Sequence, residues 1–288
     1  LHIGNAFNFL LTALIVDFKK GKLHLRIDDF DISRSKRKFV EDIFVQLDWL
    51  GIEYDSGPTG PDELFSKYSQ QLRSDYYFNA IEVIKKNKKI FACECSRSMI
   101  RQISNKRTYP GYCREKNIDL GNKNITWRVN VPEGTIVNYK TFFNSIKTIN
   151  VNDSIGDFVI KRRDGLPAYQ IISVVEDLEQ GINLIVRGKD LLGSTGAQIF
   201  IGGCLNGGTL LESVFIHHNL IKNSSGAKIS KTYGDLSLKE LKKKNQNATF
   251  VFQETAKMLH LPHRDIITLD HLKELFKISI NQQNFFEF

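Results

Sequence analysis

The chain has 288 residues, of which 41% are hydrophobic and 25% charged, and this composition excludes a protein dominated by disorder. A chain of this length can bury a substantial hydrophobic core. Its 40 lysines and arginines exceed its 32 aspartates and glutamates, and the net charge of +8 favours a polyanionic partner such as nucleic acid.

Membrane and secretion signals are not found. The longest apolar stretch, Phe9–Val16, is far shorter than the roughly 20 residues that span a bilayer, so no membrane segment is predicted. No signal peptide is recognised at the start of the sequence. Four cysteines are too few for a disulfide framework in so long a chain, and a reducing cytoplasm is the expected compartment.

The first ninety residues predict a helix, a strand, a helix, a loop and a helix, in that order. The alternating apolar residues of Leu23–Ile27 predict the strand. Apolar residues at helical spacing over Phe39–Leu50 predict the second helix, with Ser33 and Ser35 as candidate caps. The glycines and prolines of "SGPTGPDE" predict a loop without regular structure, and Tyr76–Ile84 continues as a helix.

The second half of the chain predicts strands between helices. "DFVIKRRDGLPAYQIISVV" indicates a strand, a turn at Asp164 and Gly165, and a second apolar segment, while "NLIVRG" and "VFIHHNLI" indicate two short buried strands. Helical spacing returns between Leu238 and Leu259. This alternation predicts an α/β fold with a mostly parallel sheet, which binds ligands beyond the carboxyl ends of its strands.

Two short motifs have the chemistry of a phosphate site. "HIGN" places His2 and Gly4 at the start of the first helix, where free backbone N–H groups attract anions and an imidazole adds a donor. "SSGAKISKT" brings Lys228, Ser230 and Lys231 into a glycine-containing loop. Each motif alone is also typical of solvent-exposed residues with no ligand, so the pair is more specific than either half.

This pair resembles the two signatures of class I aminoacyl-tRNA synthetases. "LRIDDFDISRS", "DFVIKRRDGLPAYQ" and "GINLIVRGKDLLGSTGAQI" resemble, in order, segments of the glutamate branch of that class. The resemblance implies a Rossmann-type nucleotide-binding domain with an inserted zinc-bearing subdomain and a short C-terminal helical segment. It divides the chain into catalytic residues 1–90, an inserted tRNA-contacting subdomain 91–150, catalytic residues 151–220, and the "KISK" loop with the helical segment, 221–288.

Three of the four cysteines lie in one short segment and are candidate metal ligands. The spacing of Cys93, Cys95 and Cys113 supplies three thiolates of a tetrahedral zinc site, with buried reduced thiols as the alternative. The pattern resembles that of the glutamyl-queuosine tRNA(Asp) synthetases, in which a tyrosine, here Tyr109, completes the site. Larger zinc-bearing relatives have a histidine where this chain has Glu115, which leaves that carboxylate as another candidate. Cys204 is predicted to be a packed thiol.

The resemblance also implies a two-step reaction with ATP as substrate and Mg²⁺ and Zn²⁺ as metals. Glutamate and ATP form an acyl adenylate, and a hydroxyl on the queuosine ring then attacks the acyl carbon. By motif match, the ATP-binding residues are His2, Gly4, Asn5, Lys228, Ser230 and Lys231, with Lys231 and Lys228 as the catalytic pair. The glutamate-binding residues are Asp28, Tyr169, Ser173 and Arg187, with a structural salt bridge as the alternative role of the arginine.

The chain departs from the family pattern at three of these positions. Asn5 replaces a histidine, Ser173 replaces an asparagine, and Asp28 replaces a glutamate that is one methylene longer. The 57 residues after "KISK" leave no room for the helical anticodon-binding region of ordinary glutamyl-tRNA synthetases, which favours the smaller enzyme. Its partner would be the anticodon stem-loop of tRNA(Asp), bound by a monomer with no membrane association. A truncated glutamyl-tRNA synthetase and a non-catalytic tRNA-binding paralogue remain as alternatives.

Overall fold

A computed structural model describes residues 1–32, 35–87, 89–103, 108–219, 237–244 and 247–281. They divide into two compact units, one from the ranges 1–73 and 219–288 and one from the range 74–218. The division of the chain into four segments stays a prediction. Among the described residues, no helix has both the length and the apolar character needed to cross a membrane.

The first unit is built on a long buried helix, α1. The helices of this unit are α1 (Ile3–Lys19), α2 (Arg37–Trp49), α3 (Pro61–Glu63), α10 (Leu238–Lys244), α11 (Thr249–Met258) and α12 (Leu269–Asn281). Helix α1 contacts α11 and α12, and the ring of Phe18 meets the edge of Phe276 with centroids 6.5 Å apart. Its apolar residues recur every three or four positions, and Leu10, Leu11 and Ile15 are completely buried.

Helix α2 confirms the helix predicted over residues 39–50, but its start differs from the prediction. The residue before the helix is Lys36, whose side chain makes no capping hydrogen bond. The hydroxyl of Ser35 instead donates to the carbonyl oxygen of Asp31 at 2.9 Å. Ser33 lies outside the described residues.

The strand predicted at Leu23–Ile27 is wrong. This segment forms one parallel bridge, between His24 and Ser56, with a hydrogen bond of 2.9 Å from the Leu25 N–H to the Ser56 carbonyl. Pairing cannot continue because the chain turns at Gly57, where φ is 115° and a Cβ atom would lie 2.2 Å from the Leu25 oxygen. The segment therefore lies close to its neighbour without becoming part of a sheet.

The predicted loop at residues 56–63 is also partly wrong. Pro61–Glu63 forms the short helix α3, which runs into a π-helical turn at Leu64–Tyr68 and a 3₁₀ turn at Gln70–Arg73. Proline favours the first turn of a helix because its fixed φ suits that position and its missing N–H is not needed there. The carboxylate of Glu63 closes this turn by accepting the Thr59 N–H at 2.9 Å.

In the described residues of the second unit, seven strands form two sheets. The strands are β1 (Ile90–Cys93), β2 (Thr126–Val129), β3 (Ile136–Lys140), β4 (Ile146–Asn150), β5 (Val159–Lys161), β6 (Leu184–Gly188) and β7 (Val214–His218). The helices are α4 (Ser74–Lys86), α5 (Arg97–Ile103), α6 (Val151–Ser154), α7 (Tyr169–Glu179), α8 (Leu192–Cys204) and α9 (Gly208–Leu211). Helix α4, the turn at Gly165, β6 and β7 confirm their predictions.

The expected mostly parallel sheet is only partly present. Strands β3, β7 and β6 are parallel, β4 is antiparallel at the edge, and β1, β2 and β5 form a separate antiparallel sheet. The unit β6–α8–β7 is a parallel crossover of the predicted kind. Helix α8 approaches the α6 backbone so closely that a Cβ atom at Gly193 would lie 2.8 Å from the Ser154 oxygen. The fold is therefore α/β with one mixed and one antiparallel sheet.

Candidate active site

The opening motif forms a reciprocal cap at the start of α1. The Gly4 N–H donates to Nδ1 of His2 at 3.0 Å, and the His2 N–H donates to Oδ1 of Asn5 at 3.0 Å. Because Nδ1 accepts, the neutral ring carries its proton on Nε2, and burial lowers the pKa of His2. The three predicted residues are thus brought together, and Asn5 fits its position because an amide oxygen can cap a helix.

The "KISK" residues cannot be compared with this prediction. Lys228, Ser230 and Lys231 lie outside the described residues. Their roles stay predictions from the motif.

Asp28 is held by two donors of the first unit. Its Oδ1 accepts Nε of Arg26 at 3.1 Å and Nε2 of Gln70 at 2.7 Å. The next residue, Asp29, is completely buried and accepts the Ser69 hydroxyl at 2.6 Å and the Gln70 N–H at 2.8 Å. Sequence reasoning missed Gln70 because its partners lie some forty positions away and no local pattern marks it.

Tyr169 and Ser173 lie one turn apart on α7, so they share one face of this helix. Tyr169 is the first residue of the helix and is 46% exposed, whereas Ser173 is buried. Between them, Nε2 of Gln170 donates to the hydroxyl of Ser194 at 3.0 Å. The motif match therefore falls at the start of a helix that leaves a phenol accessible.

Arg187 is a buried cation on β6. Its Nη1 donates to Oε1 of Gln198 at 2.8 Å, and its guanidinium lies 5.1 Å from the ring centroid of Phe215. Gln198 is completely buried, and its Nε2 has no hydrogen-bond partner within the described part of the chain. The neutral amide of Gln198 is thus one of the groups that hold this buried guanidinium in place.

His217 is paired with Arg187 across β6 and β7 and was not anticipated from the sequence. Burial and, next, the charge of Arg187 lower the pKa of His217 to about 4. The neutral ring shares a hydrogen bond of 2.7 Å with the Thr195 hydroxyl and meets the ring of Tyr139 edge-on. His217 therefore adds no positive charge beside the arginine at neutral pH.

The three clustered cysteines and Tyr109 form one buried group. The three sulfur atoms lie within 4.8 Å of one another, with Cys95 and Cys113 3.5 Å apart. The Tyr109 hydroxyl lies 3.3 Å from the sulfur of Cys93 and 3.8 Å from that of Cys95. A tetrahedral zinc with bonds of about 2.3 Å to sulfur separates its ligands by about 3.8 Å, so the four side chains fit this metal.

Two further contacts involve Tyr109. The Arg128 guanidinium lies 3.9 Å from the Tyr109 ring centroid, and the Cys113 N–H donates to the Tyr109 hydroxyl at 2.9 Å. Burial raises the pKa of Cys95 to about 11 and also raises the pKa of Tyr109. The carboxylate of Glu115 is exposed and does not belong to the group.

In the described part of the chain, no carboxylate cluster comparable to the cysteine group is found for Mg²⁺. Within the described ranges, the three cysteines are the sole group of three His, Cys, Asp or Glu side chains that are close enough together to share a metal. Thiolates suit zinc rather than Mg²⁺, which usually binds through substrate phosphates. The remaining cysteine, Cys204, is half-buried, and its sulfur lies 3.6 Å from Nζ of Lys89.

Known proteins resemble this chain over most of its length. Residues 1–288 match the family described as tRNA synthetases class I (E and Q), catalytic domain. A glutamyl-Q tRNA(Asp) synthetase of Acinetobacter baylyi is 32% identical over 272 residues, which cover 94% of this chain and 85% of that protein. A glutamate–tRNA ligase 2 of Syntrophus aciditrophicus is 30% identical over 257 residues, which cover 85% of this chain.

The chain spans about half the length of this ligase, 52%. The fold is similar to that of a solved glutamate–tRNA synthetase from Elizabethkingia anophelis, with a TM-score of 0.75 at 20% identity, over 96% of this chain and 63% of that one. The family match covers every residue of the sequence. The chain therefore belongs to the class I tRNA synthetases of the glutamate and glutamine branch, as a member of their catalytic-domain family.

Proposed function

We propose that this protein activates glutamate with ATP and transfers it to the queuosine base in the anticodon of tRNA(Asp). The observation that carries the proposal is the position of Tyr109, whose hydroxyl lies among the thiols of Cys93, Cys95 and Cys113. This combination of ligands is the pattern that the sequence shares with the glutamyl-queuosine enzymes. The similarity to the Acinetobacter baylyi protein supports the same choice.

The first step joins glutamate to ATP. A carboxylate oxygen of glutamate attacks the α-phosphorus, the bond to the β-phosphate oxygen breaks, and pyrophosphate leaves. The N-terminus of α1 offers the positive end of the helix dipole and the Nε2 donor of His2 to the phosphates. Lys228, Ser230 and Lys231 would stabilise the negative charge that spreads over the phosphate oxygens.

Glutamate itself would be recognised through its side-chain carboxylate and its α-ammonium group. Arg187 would bind the side-chain carboxylate, for which a buried guanidinium has the bidentate geometry. Asp28 would bind the α-ammonium group, and Tyr169 and Ser173 would contact glutamate by motif match. Glutamine lacks the side-chain carboxylate that would pair with Arg187, so we expect it to be rejected.

The second step needs no protein nucleophile. A hydroxyl of the queuosine ring attacks the acyl carbon of the adenylate, the bond to the phosphate oxygen breaks, and AMP leaves. Catalysis would rest on positioning the two substrates and on stabilising charge. Zinc bound to Cys93, Cys95, Tyr109 and Cys113 would hold the surrounding segment in place and would take no part in the chemistry.

A second candidate is the charging of tRNA(Glu), as the name of the Syntrophus aciditrophicus relative indicates for that protein. The observation in its favour is that relatives at about the same identity carry both names. The non-catalytic alternative is disfavoured by the buried guanidinium of Arg187, for which a binding module has no evident use.

Labelled glutamate distinguishes these candidates. The protein is incubated with ATP and, in turn, with tRNA(Asp) carrying queuosine, tRNA(Asp) carrying guanine, and tRNA(Glu). We expect label on the first substrate alone, and the label should persist when the terminal adenosine of the tRNA is removed. Label on the terminal ribose of tRNA(Glu) would establish the second candidate and refute the first.

A further inference from the structure

Residues 69–71 bind residues 28–30 through a set of hydrogen bonds that the motif resemblance does not explain. The segment donates three hydrogen bonds to Asp29, from the Ser69 hydroxyl, the Gln70 N–H and Nε2 of Gln71, at 2.6, 2.8 and 3.2 Å. Two more bonds involve the side-chain amide of Gln70. Gln70 is 1% exposed, so water does not compete for these contacts.

The orientation of the Gln70 amide is fixed by its two partners. Its Oε1 accepts the Phe30 N–H at 3.2 Å, and its Nε2 donates to Oδ1 of Asp28 at 2.7 Å. A backbone N–H can only donate and a carboxylate can only accept, so the reversed amide would lose both bonds. Gln70 is therefore set to donate to Asp28 before any ligand arrives.

Both donors on the Asp28 carboxylate use the same oxygen. Arg26 and Gln70 donate to Oδ1, while Oδ2 makes no hydrogen bond to any residue that the structure describes. The Asp28 side chain is 50% exposed, so this second oxygen is accessible. One oxygen thus orients the carboxylate, and the other is left for an ammonium group.

We propose that Gln70 is a positioning residue that orients Asp28 toward the α-ammonium group of the amino acid substrate. This inference rests on the proposed function, since it assigns a role within the glutamate site. The contact also accounts for an aspartate where the family has a longer glutamate. Two hydrogen bonds fix the orientation of this short side chain, so fewer rotamers are lost when its second oxygen binds the ammonium group.

The test is the kinetics of glutamate-dependent ATP–pyrophosphate exchange, measured with and without tRNA(Asp) and tRNA(Glu). In Gln70→Glu, a carboxylate of nearly the same shape replaces the donor and repels Asp28. We expect the KM for glutamate to rise about 10- to 100-fold, as for the loss of a hydrogen bond to a charged group, with the KM for ATP within twofold. Since KM does not depend on the folded fraction, a partly unfolded preparation still gives a valid answer.

The control variant is Gln46→Leu. Gln46 lies in the same unit and is equally buried at 1% exposure, but its side chain bonds to Asp42. A second readout is the inhibition constant of 2-hydroxyglutarate, which keeps both carboxylates of glutamate and lacks the ammonium group. If Gln70 orients Asp28, the Gln70→Glu variant should bind this competitor within twofold of the wild-type protein.

Each outcome decides between the possibilities. An unchanged KM for glutamate in Gln70→Glu, or an equal rise in Gln46→Leu, would overturn the inference while leaving the proposed function intact. A parallel rise in the KM for glutamate and the inhibition constant of 2-hydroxyglutarate would reduce Gln70 to a structural role. No glutamate-dependent exchange by the wild-type protein under any condition would overturn the proposed function and, with it, this inference.

Discussion

The ion pair beside the cysteine group offers a direct test of the second unit. Asp157 is completely buried and accepts Nη2 of Arg114 at 2.7 and 2.8 Å and Nε at 3.1 Å. Its Oδ1 also accepts the Val131 N–H at 3.0 Å. Asp157→Asn keeps an acceptor for this N–H and removes the charge, so the substitution isolates the ion pair.

The free energy of unfolding that Asp157→Asn should lose depends on how exposed its partner Arg114 is. Removing one partner of a buried ion pair costs about 3–5 kcal/mol when the other charge stays buried. The Arg114 side chain is 32% exposed and can be rehydrated in part, which reduces the expected loss to about 2–3 kcal/mol. The bond from Arg128 to the Asp157 carbonyl is unaffected because it uses the backbone.

Asp164→Asn is the matched control. Asp164 pairs with Arg162 at 2.5 Å and accepts the Leu166 N–H at 3.2 Å, so the contacts are similar, but the two side chains are 47% and 42% exposed. An exposed pair of this kind contributes between zero and about 1 kcal/mol. Burial is therefore the main difference between the two substitutions.

Urea unfolding gives the measurement. The two tryptophans lie in different units, so a Trp49→Phe background leaves Trp127, next to Arg128 on β2, as the fluorescent reporter of the second unit. We expect a clearly lower midpoint for Asp157→Asn and a nearly unchanged one for Asp164→Asn. Equal shifts, or a loss below about 0.5 kcal/mol for Asp157→Asn, would refute the reasoning from burial.

Three further predictions concern the metal, the pH dependence and the loop. Tyr109→Phe keeps the ring beside Arg128 but removes the hydroxyl, so zinc should be lost to a chelator at a concentration about 10-fold lower or less; an unchanged zinc affinity would exclude the phenol as a ligand. Burial lowers the pKa of His217 from 6.5 to about 4 on folding, so the neutral ring adds its full contribution to the free energy of unfolding above pH 6.5. This contribution decreases by about 3 kcal/mol as the pH falls to about 4, and His217→Gln should make the free energy of unfolding less dependent on pH in acid denaturation curves. Lys231→Ala should slow adenylate formation by about two to four orders of magnitude, or about 3–5 kcal/mol, and an unchanged exchange rate would remove the loop from the mechanism.

Local sequence patterns predicted the helices and strands whose buried residues can be recognised from that segment alone. Strands β6 and β7 are short apolar runs, and α2 and α4 have apolar residues at helical spacing, so each could be recognised from its own residues. The segment Leu23–Ile27 has an equally good alternating pattern but forms one bridge. Alternation indicates which side chains can be buried together, whereas a strand also needs a neighbour that stays extended alongside it.

The arrangement of the sheets depends on contacts that no local pattern contains. Strand β2 pairs with β1 across an intervening helix, and β3 and β4 form a hairpin that places an antiparallel strand at the edge of the parallel set. The alternation of helices and strands correctly predicted the crossover β6–α8–β7. It could not predict which strands leave this sheet, because strand order is decided by distant pairing.

In the candidate site, too, residues close together in the sequence were predicted and a residue distant in the sequence was missed. Cys93, Cys95, Tyr109 and Cys113 lie within 21 residues of the sequence; their spacing grouped the three cysteines, and the family resemblance added the tyrosine. Gln70 was missed because its hydrogen bond to Asp28 joins residues 42 positions apart. Motifs thus point to candidate ligand-binding groups, while hydrogen bonds between distant segments, such as that from Gln70 to Asp28, are visible only in the fold.

The helix start at "HIGN" shows why a motif residue can serve structure and ligand at once. His2 uses Nδ1 to cap α1 and retains the Nε2 proton, so the cap fixes the ring in the one neutral tautomer that can donate to a phosphate. Protonation of the ring would place a donor against the Gly4 N–H and disrupt the cap, and burial lowers the pKa of His2 against this change. The cap and the proposed phosphate contact therefore require the same protonation state, and an alanine at this position would remove both together.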